Sequence, residues 1–232
     1  MLSGPNPTTD LARLTFSVAQ RNLVLRLNRD LVRHAGHGPP SKVMQVDTAQ
    51  RQLSDRIDDA TQRLLDAARI ISDPDLRRPS LLPGWTRAHV LAHLARGADA
   101  MRYVLIGAKY GQERPAYVSA EARAADIQYG ATLTAKELII DVARSAMAFR
   151  TIVKQLPDDS WQYPVRILNS APFPAAQVLT RRLVEVELHH GDLDSGYGPA
   201  DWPPYFAAME LAEPMQSQRQ DRLSRAESAL SA

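Results

Sequence analysis

From residue 48 onward the apolar positions of the chain recur at helical spacing. Leu53, Ile57, Ala60, Leu64 and Ala68 fall three or four apart, with Leu65 beside Leu64, the interval that gathers side chains on one helix face. They predict a helix over 48–71, capped by Asp47 or Thr48. A second apolar series predicts a helix over 87–106, with Thr86 as N-cap and Gly107 at its end. Residues 119–128 and 134–156 read as a third helical region, broken at Gly130. A fourth helix is expected over 174–194, with Pro174 at its first position and Gly196 just past its end. The connections are uneven. "SDPDLRRPSLLPGW" holds three prolines, and "PDDSWQYPVRILNSAPFP" is a long loop whose "YPVRIL" is β-prone. "GPADWPPYF" breaks the chain again before a last helix from about 204 that runs into a polar tail. Four long amphipathic helices joined in this way predict an all-α protein, a four-helix bundle whose inward-facing positions can carry a site.

Residues 1–43 have a different character. Six Lys and Arg face two Asp, and the stretch ends in "GHGPPSKV", a linker composition. Positions 11–32 have the pattern of a basic amphipathic helix, which can lie on a membrane surface or a partner. The simpler reading is a flexible basic extension. The expected organisation is therefore 1–43 as that extension, 44–206 as the bundle, and 207–232 as a helical or disordered polar tail.

Composition narrows the function. Hydrophobic content of 44% with 23% charged residues is that of a globular chain, and 6% aromatics favours helix over sheet. A net charge of +2 is too small to argue for a nucleic-acid partner. No apolar run approaches a membrane span, and the N-terminus lacks the apolar core of a signal peptide, so a cytoplasmic location is expected. The chain has no Cys. Any metal must then be held by nitrogen and oxygen, and any reactive thiol must come from a small molecule. No Gly-rich phosphate loop or Gly-x-Ser-x-Gly elbow is present.

The candidate chemistry sits in "VEVELHHGDLD", residues 184–194, where Glu185, Glu187, His189 and His190 crowd together in a chain with six His. Glu185 and His189 are four apart and share a helix face; Glu187 and His190, three apart, also neighbour each other. Both pairs fall at margins of the stripe marked by Val178, Leu179, Val186 and Leu193, so periodicity leaves the choice between them open. A pair is too few, since zinc takes three or four ligands. The second helix, "TRAHVLAHLARGADAM", offers His93, on one line with Val90, Gly97, Met101 and Val104. His89 lies one turn back and further towards solvent. Gly97 would leave His93 room; the competing reading is a core histidine bonded to a carbonyl. Trp85 and Trp202 read as packing anchors.

"LLPGWTRAHVLAHLARGADAM" and "RRLVEVELHHGDLDSGYGPADWPP" resemble the mycothiol-dependent maleylpyruvate isomerase family, with similarity over about 46–206. The resemblance implies a DinB-like four-helix bundle in which His93, Glu185 and His189 bind one divalent metal, zinc. It prefers Glu185 and His189 to Glu187 and His190, which become flanking residues. Arg182 and Asp192 also match the family's pattern and are expected to orient the cofactor site. Mycothiol is then the implied co-substrate, a small-molecule thiol added to an electrophilic substrate in an isomerase or a transferase. Two features depart from the family. Gly97 stands where many relatives carry Asn, and after "DWPP" relatives continue into a small α/β domain where about thirty polar residues remain here. These departures motivate a second expectation, a non-catalytic metal-binding module with a binding or regulatory role.

Overall fold

The computed structural model describes residues 48–168 and 170–231. The expectations for residues 1–43 and for a cap at Asp47 lie outside the described residues. In chain order the helices are α1 Thr48–Arg69, α2 Asp73–Leu76, α3 Arg87–Lys109, α4 Ala120–Gly130, α5 Ala135–Gln155, α6 Gln177–Asp192, α7 Pro204–Ala207 and α8 Met215–Leu230. Between α5 and α6 the strands β1 Pro164–Val165 and β2 Phe173–Pro174 pair antiparallel, with Val165 opposite Phe173. Among the described residues the protein is a DinB-like helical bundle with one two-stranded ribbon. No helix among them is long and apolar enough to cross a membrane.

Each of α1 and α3 packs on both α5 and α6, which closes a ring of four long helices. The predicted stripe of the first helix is the buried face of α1: Ile57, Ala60, Leu64, Leu65 and Ala68 all turn inward. Helix α3 is buried on more than one side, and its Ala88, Ala92, Ala95 and Ala98 are all covered. Small side chains let neighbouring axes approach. Leu91, Leu94, Leu105, Leu138, Leu179 and Leu183 fill the interior, each contributing about 1.5–3 kcal/mol when fully covered.

Several expected boundaries move. The second helix passes Gly107 and runs to Lys109, because the chain turns back at Gly111, whose φ of +63° suits glycine. Gly130 is the last residue of α4, and its role is clearance. A Cβ there would stand 2.7 Å from the Ala92 Cβ of α3. Pro174 does not start the fourth helix. It lies in β2 opposite Pro164, and α6 begins at Gln177. At the other end α6 stops at Asp192 rather than 194, and Asp194 takes the left-handed conformation at φ 52°. The expected last helix is one turn, Pro204–Ala207, followed by a second start after Pro214. The proline cannot donate to a continuing helix.

Candidate metal centre

His93 is carried by α3, and Glu185 and His189 by α6, two helices that pack directly together. One ligand atom from each lies within 4.8 Å of the other two. Glu185 Oε2 is 3.0 Å from His93 Nε2 and 3.9 Å from His189 Nε2, and the two Nε2 atoms are 3.1 Å apart. The Glu185 Oε2 atom is buried yet makes no hydrogen bond of acceptable geometry. A buried carboxylate oxygen without a well-aligned donor is costly. One turned towards two imidazole nitrogens is the donor set that a divalent cation satisfies, and two His with one carboxylate leave a zinc position open.

The outer atoms of the rings form a directional chain. His189 Nδ1 donates to Asp192 Oδ2 at 2.9 Å, which leaves the lone pair of the neutral ring on Nε2. His93 Nδ1 lies 3.1 Å from Arg123 Nη2 on α4. A guanidinium only donates, so Nδ1 accepts and the His93 hydrogen is assigned to Nε2, facing His189. Asp192 in turn accepts from Arg222 Nη2 of α8 at 2.7 Å. Without metal, polar contacts therefore run from Arg123 through His93, His189 and Asp192 to Arg222.

The electrostatics leave this group of donors able to take a cation. Burial pushes the His93 imidazole below its ordinary value, and the pull of Glu185 does not restore it, so its neutral form prevails at neutral pH. Burial pushes Glu185 upward, but His93, His189 and Arg182 outweigh that and hold the carboxyl well below the usual range. Arg182 is fully buried and donates from Nη1 to Leu94 O at 2.9 Å. Burial lowers it to about 10, against the opposing pull of Glu185 and Asp99, so it remains a cation beside the triad. For Asp192, burial acts upward but hydrogen bonds from His189 and Arg222 leave it lowered.

The other acid and imidazole of the motif face elsewhere. The helical wheel puts Glu187 and His190 at a margin of the stripe; in the fold both are buried, at 0% and 3% exposure. Glu187 accepts from Arg63 Nη2 of α1 at 2.6 Å and from Tyr197 OH at 2.5 Å. His190 stacks on Tyr197 with ring centroids 3.8 Å apart. An ion pair from α1 makes a carboxylate tolerable inside the bundle, and no wheel of α6 can reveal it. His89 serves the start of α3, where its Nδ1 meets Thr86 N and Oγ1 at 3.2 and 2.7 Å. The room left by Gly97 is beside Glu185: a Cβ there would lie 3.5 Å from Oε2.

Three neighbours of the triad escaped sequence reasoning. Trp85 sits edge-on to His93 at 5.4 Å between centroids, so it borders the site rather than only anchoring the core. Its signal was its place in "PGWT", one residue before the α3 cap. Arg123 and Arg222 lie on polar helical stretches, and nothing in their spacing marks them.

A family model described as the mycothiol maleylpyruvate isomerase N-terminal domain matches residues 57–194, more than half of the chain. The chain belongs to this family. Among solved structures, the mycothiol-dependent maleylpyruvate isomerase is similar at 29% identity and a TM-score of 0.65. A histidine-to-alanine mutant of the mycothiol-dependent maleylpyruvate isomerase is similar at 28% identity with the same TM-score. Each alignment covers 68% of this chain and 65% of the other, so the chain spans just under two-thirds of the length of those structures. No curated protein matches it. Membership in the mycothiol maleylpyruvate isomerase family accounts for the bundle and for the segment that holds all three triad residues.

Proposed function

We propose that this chain is a mycothiol-dependent metalloprotein of the isomerase or thiol-transferase type. His93, Glu185 and His189 hold one divalent metal, zinc, and residues 44–206 form the metal-binding unit. The observation that carries the reading is the convergence of three ligand atoms within 4.8 Å around a buried carboxylate oxygen that has no well-aligned hydrogen-bond donor. Bound there, the metal would supply Lewis acidity that lowers the pKa of a thiol in its open position.

The chain's own residues perform the rest. Asp192 holds the His189 hydrogen on Nδ1 and so presents Nε2 inward. His93 and His189, with Arg182 behind them, keep Glu185 ionised. Trp85 covers one side of His93 and limits water there. Without Cys of its own, the chain takes its thiol from mycothiol, and the partner substrate is a small electrophile.

The adjoining cavity has a volume of about 130 Å³, close to that of an engineered cavity that holds benzene, about 150 Å³. That modest size favours a second reading, a metal-binding module without turnover. Elemental analysis of the purified protein, followed by thiol titration of the cobalt-substituted form, separates the two. The enzyme reading expects about one metal per chain, its loss in His93→Ala, and a thiol-dependent change in the cobalt absorption. Metal binding with no thiol response favours the module, and full metal retention in His93→Ala removes both.

A further inference from the structure

The cavity beside the triad has two unlike walls. One is α6, where Glu185 and His189 face it; the other is α8, through Met215, Gln218 and Arg222, and Met101 of α3 and Ile167 also line it. Helix α8 lies outside the residues that the family model covers.

Helix α8 is polar, and three arginines at successive intervals of three tie it down. Arg219 donates to Phe206 O at 2.8 Å and Arg225 to Leu81 O at 3.1 Å. Both of those acceptors are backbone carbonyls. Arg222 differs. Its Nη2 reaches the carboxylate of Asp192, a side chain with no exposure, at 2.7 Å. The same Oδ2 accepts the His189 Nδ1 hydrogen at 2.9 Å, while Oδ1 has no partner. One oxygen thus serves both a guanidinium and a triad imidazole. If Arg222 were removed, Asp192 would keep a single tether and could swing, taking the direction of the His189 lone pair with it.

We propose that Arg222 is a positioning residue of the metal centre: by holding Asp192 it fixes the His189 ring, so that α8 sets the affinity of the triad for its metal. The inference rests on the metal-binding reading above. A purely structural Arg222 would act like Arg219, docking α8 and nothing more.

The comparison of Arg222→Gln with Arg219→Gln tests this in the full chain. The readouts are zinc affinity by chelator competition, the visible absorption of the cobalt-substituted protein, and melting of the metal-free protein. Arg222→Gln lowers zinc affinity by roughly 10–100-fold, the range for lost partners of a ligating histidine, and shifts the cobalt bands. Arg219→Gln changes neither, although it loosens the same helix. Arg222→Lys, which keeps the charge but not the planar fork, loses less than the glutamine variant. Should Arg222→Gln fail to fold, Arg222→Lys against Arg219→Lys repeats the comparison at smaller amplitude. Zinc binding that requires His93 but is equal in the Arg222 and Arg219 variants overturns the positioning role alone. A wild-type protein that takes up no zinc overturns the metal reading and this inference together.

Discussion

Glu187→Gln and Glu185→Gln remove the same charge two residues apart on one helix, and the structure assigns them opposite consequences. The Glu187 side chain is 1% exposed and receives Arg63 at 2.6 Å and Tyr197 OH at 2.5 Å. An amide in its place removes the anionic acceptor from both bonds, about 1 kcal/mol or slightly more for each. Arg63 is 36% exposed and can turn to water, so the loss stays below the ~3–5 kcal/mol of a fully buried broken pair. A destabilisation of about 2–3 kcal/mol lowers the melting temperature of a domain of this size by roughly 4–12 °C. Zinc content should stay at the wild-type level. Glu185→Gln should show the reverse. The amide is a poor zinc ligand, and losing a direct ligand should cost more than the 10–100-fold typical of outer partners. Its metal-free melting temperature should fall less than that of Glu187→Gln. Calorimetry in chelator and elemental analysis after zinc dialysis read the two effects separately. If Glu187→Gln strips the metal while Glu185→Gln keeps it, the assignment of the two acids is inverted and the proposed centre is wrong.

Three further outcomes are expected. Arg123→Met should tighten zinc binding by about tenfold, because Arg123 donates to His93 Nδ1 and so favours the tautomer whose Nε2 hydrogen must leave for metal; unchanged or weaker affinity by chelator competition would refute this. Burial, with Arg63 next, lowers His190 to about 4 from an ordinary 6.5. Its contribution to stability is therefore complete above pH 6.5, where neither state binds the proton, and is lost as pH falls towards 4, because only the unfolded state gains it. That loss amounts to about 3 kcal/mol, and denaturant titrations should show a flatter profile over this window in His190→Phe; parallel wild-type and variant curves would contradict it. Gly130→Ala should destabilise by about 1–3 kcal/mol through overpacking, since its Cβ would meet Ala92 Cβ at 2.7 Å; a denaturation midpoint at or above wild type would show that α4 is free to retreat.

The long helices were legible because burial imposes a period on the chain. Ile57, Leu64 and Ala68 had to share a face if that segment was to hide anything, and they do. The ends of helices were less legible. Gly107 and Pro174 are residues that usually punctuate helices. Past Gly107 the helix continues two residues to Lys109 before the chain returns through Gly111, and Pro174 is held in a ribbon against Pro164. Both outcomes depend on what crosses over the position, which local rules do not contain. The tail showed the same limit. Residues 217–232 are polar enough to suggest a solvated end, yet Arg219, Arg222 and Arg225 find acceptors on three separate parts of the fold.

Sequence by itself determined the residue types from which a nitrogen-and-oxygen site can be made, the helices that carry them, and the family to which they belong. Periodicity left Glu185 and Glu187 equivalent, because a helical repeat specifies an azimuth and not the neighbour found there, and only the family resemblance preferred Glu185. Tertiary packing gives the two acids different neighbours. Arg63 of α1, 124 positions away, neutralises one acid, while His93 of α3 and the open cavity meet the other. The reach of Arg222 from α8 to Asp192 was decided in the same way. A charge inside a protein takes its role from the partner that desolvates with it, and that partner is chosen by the fold.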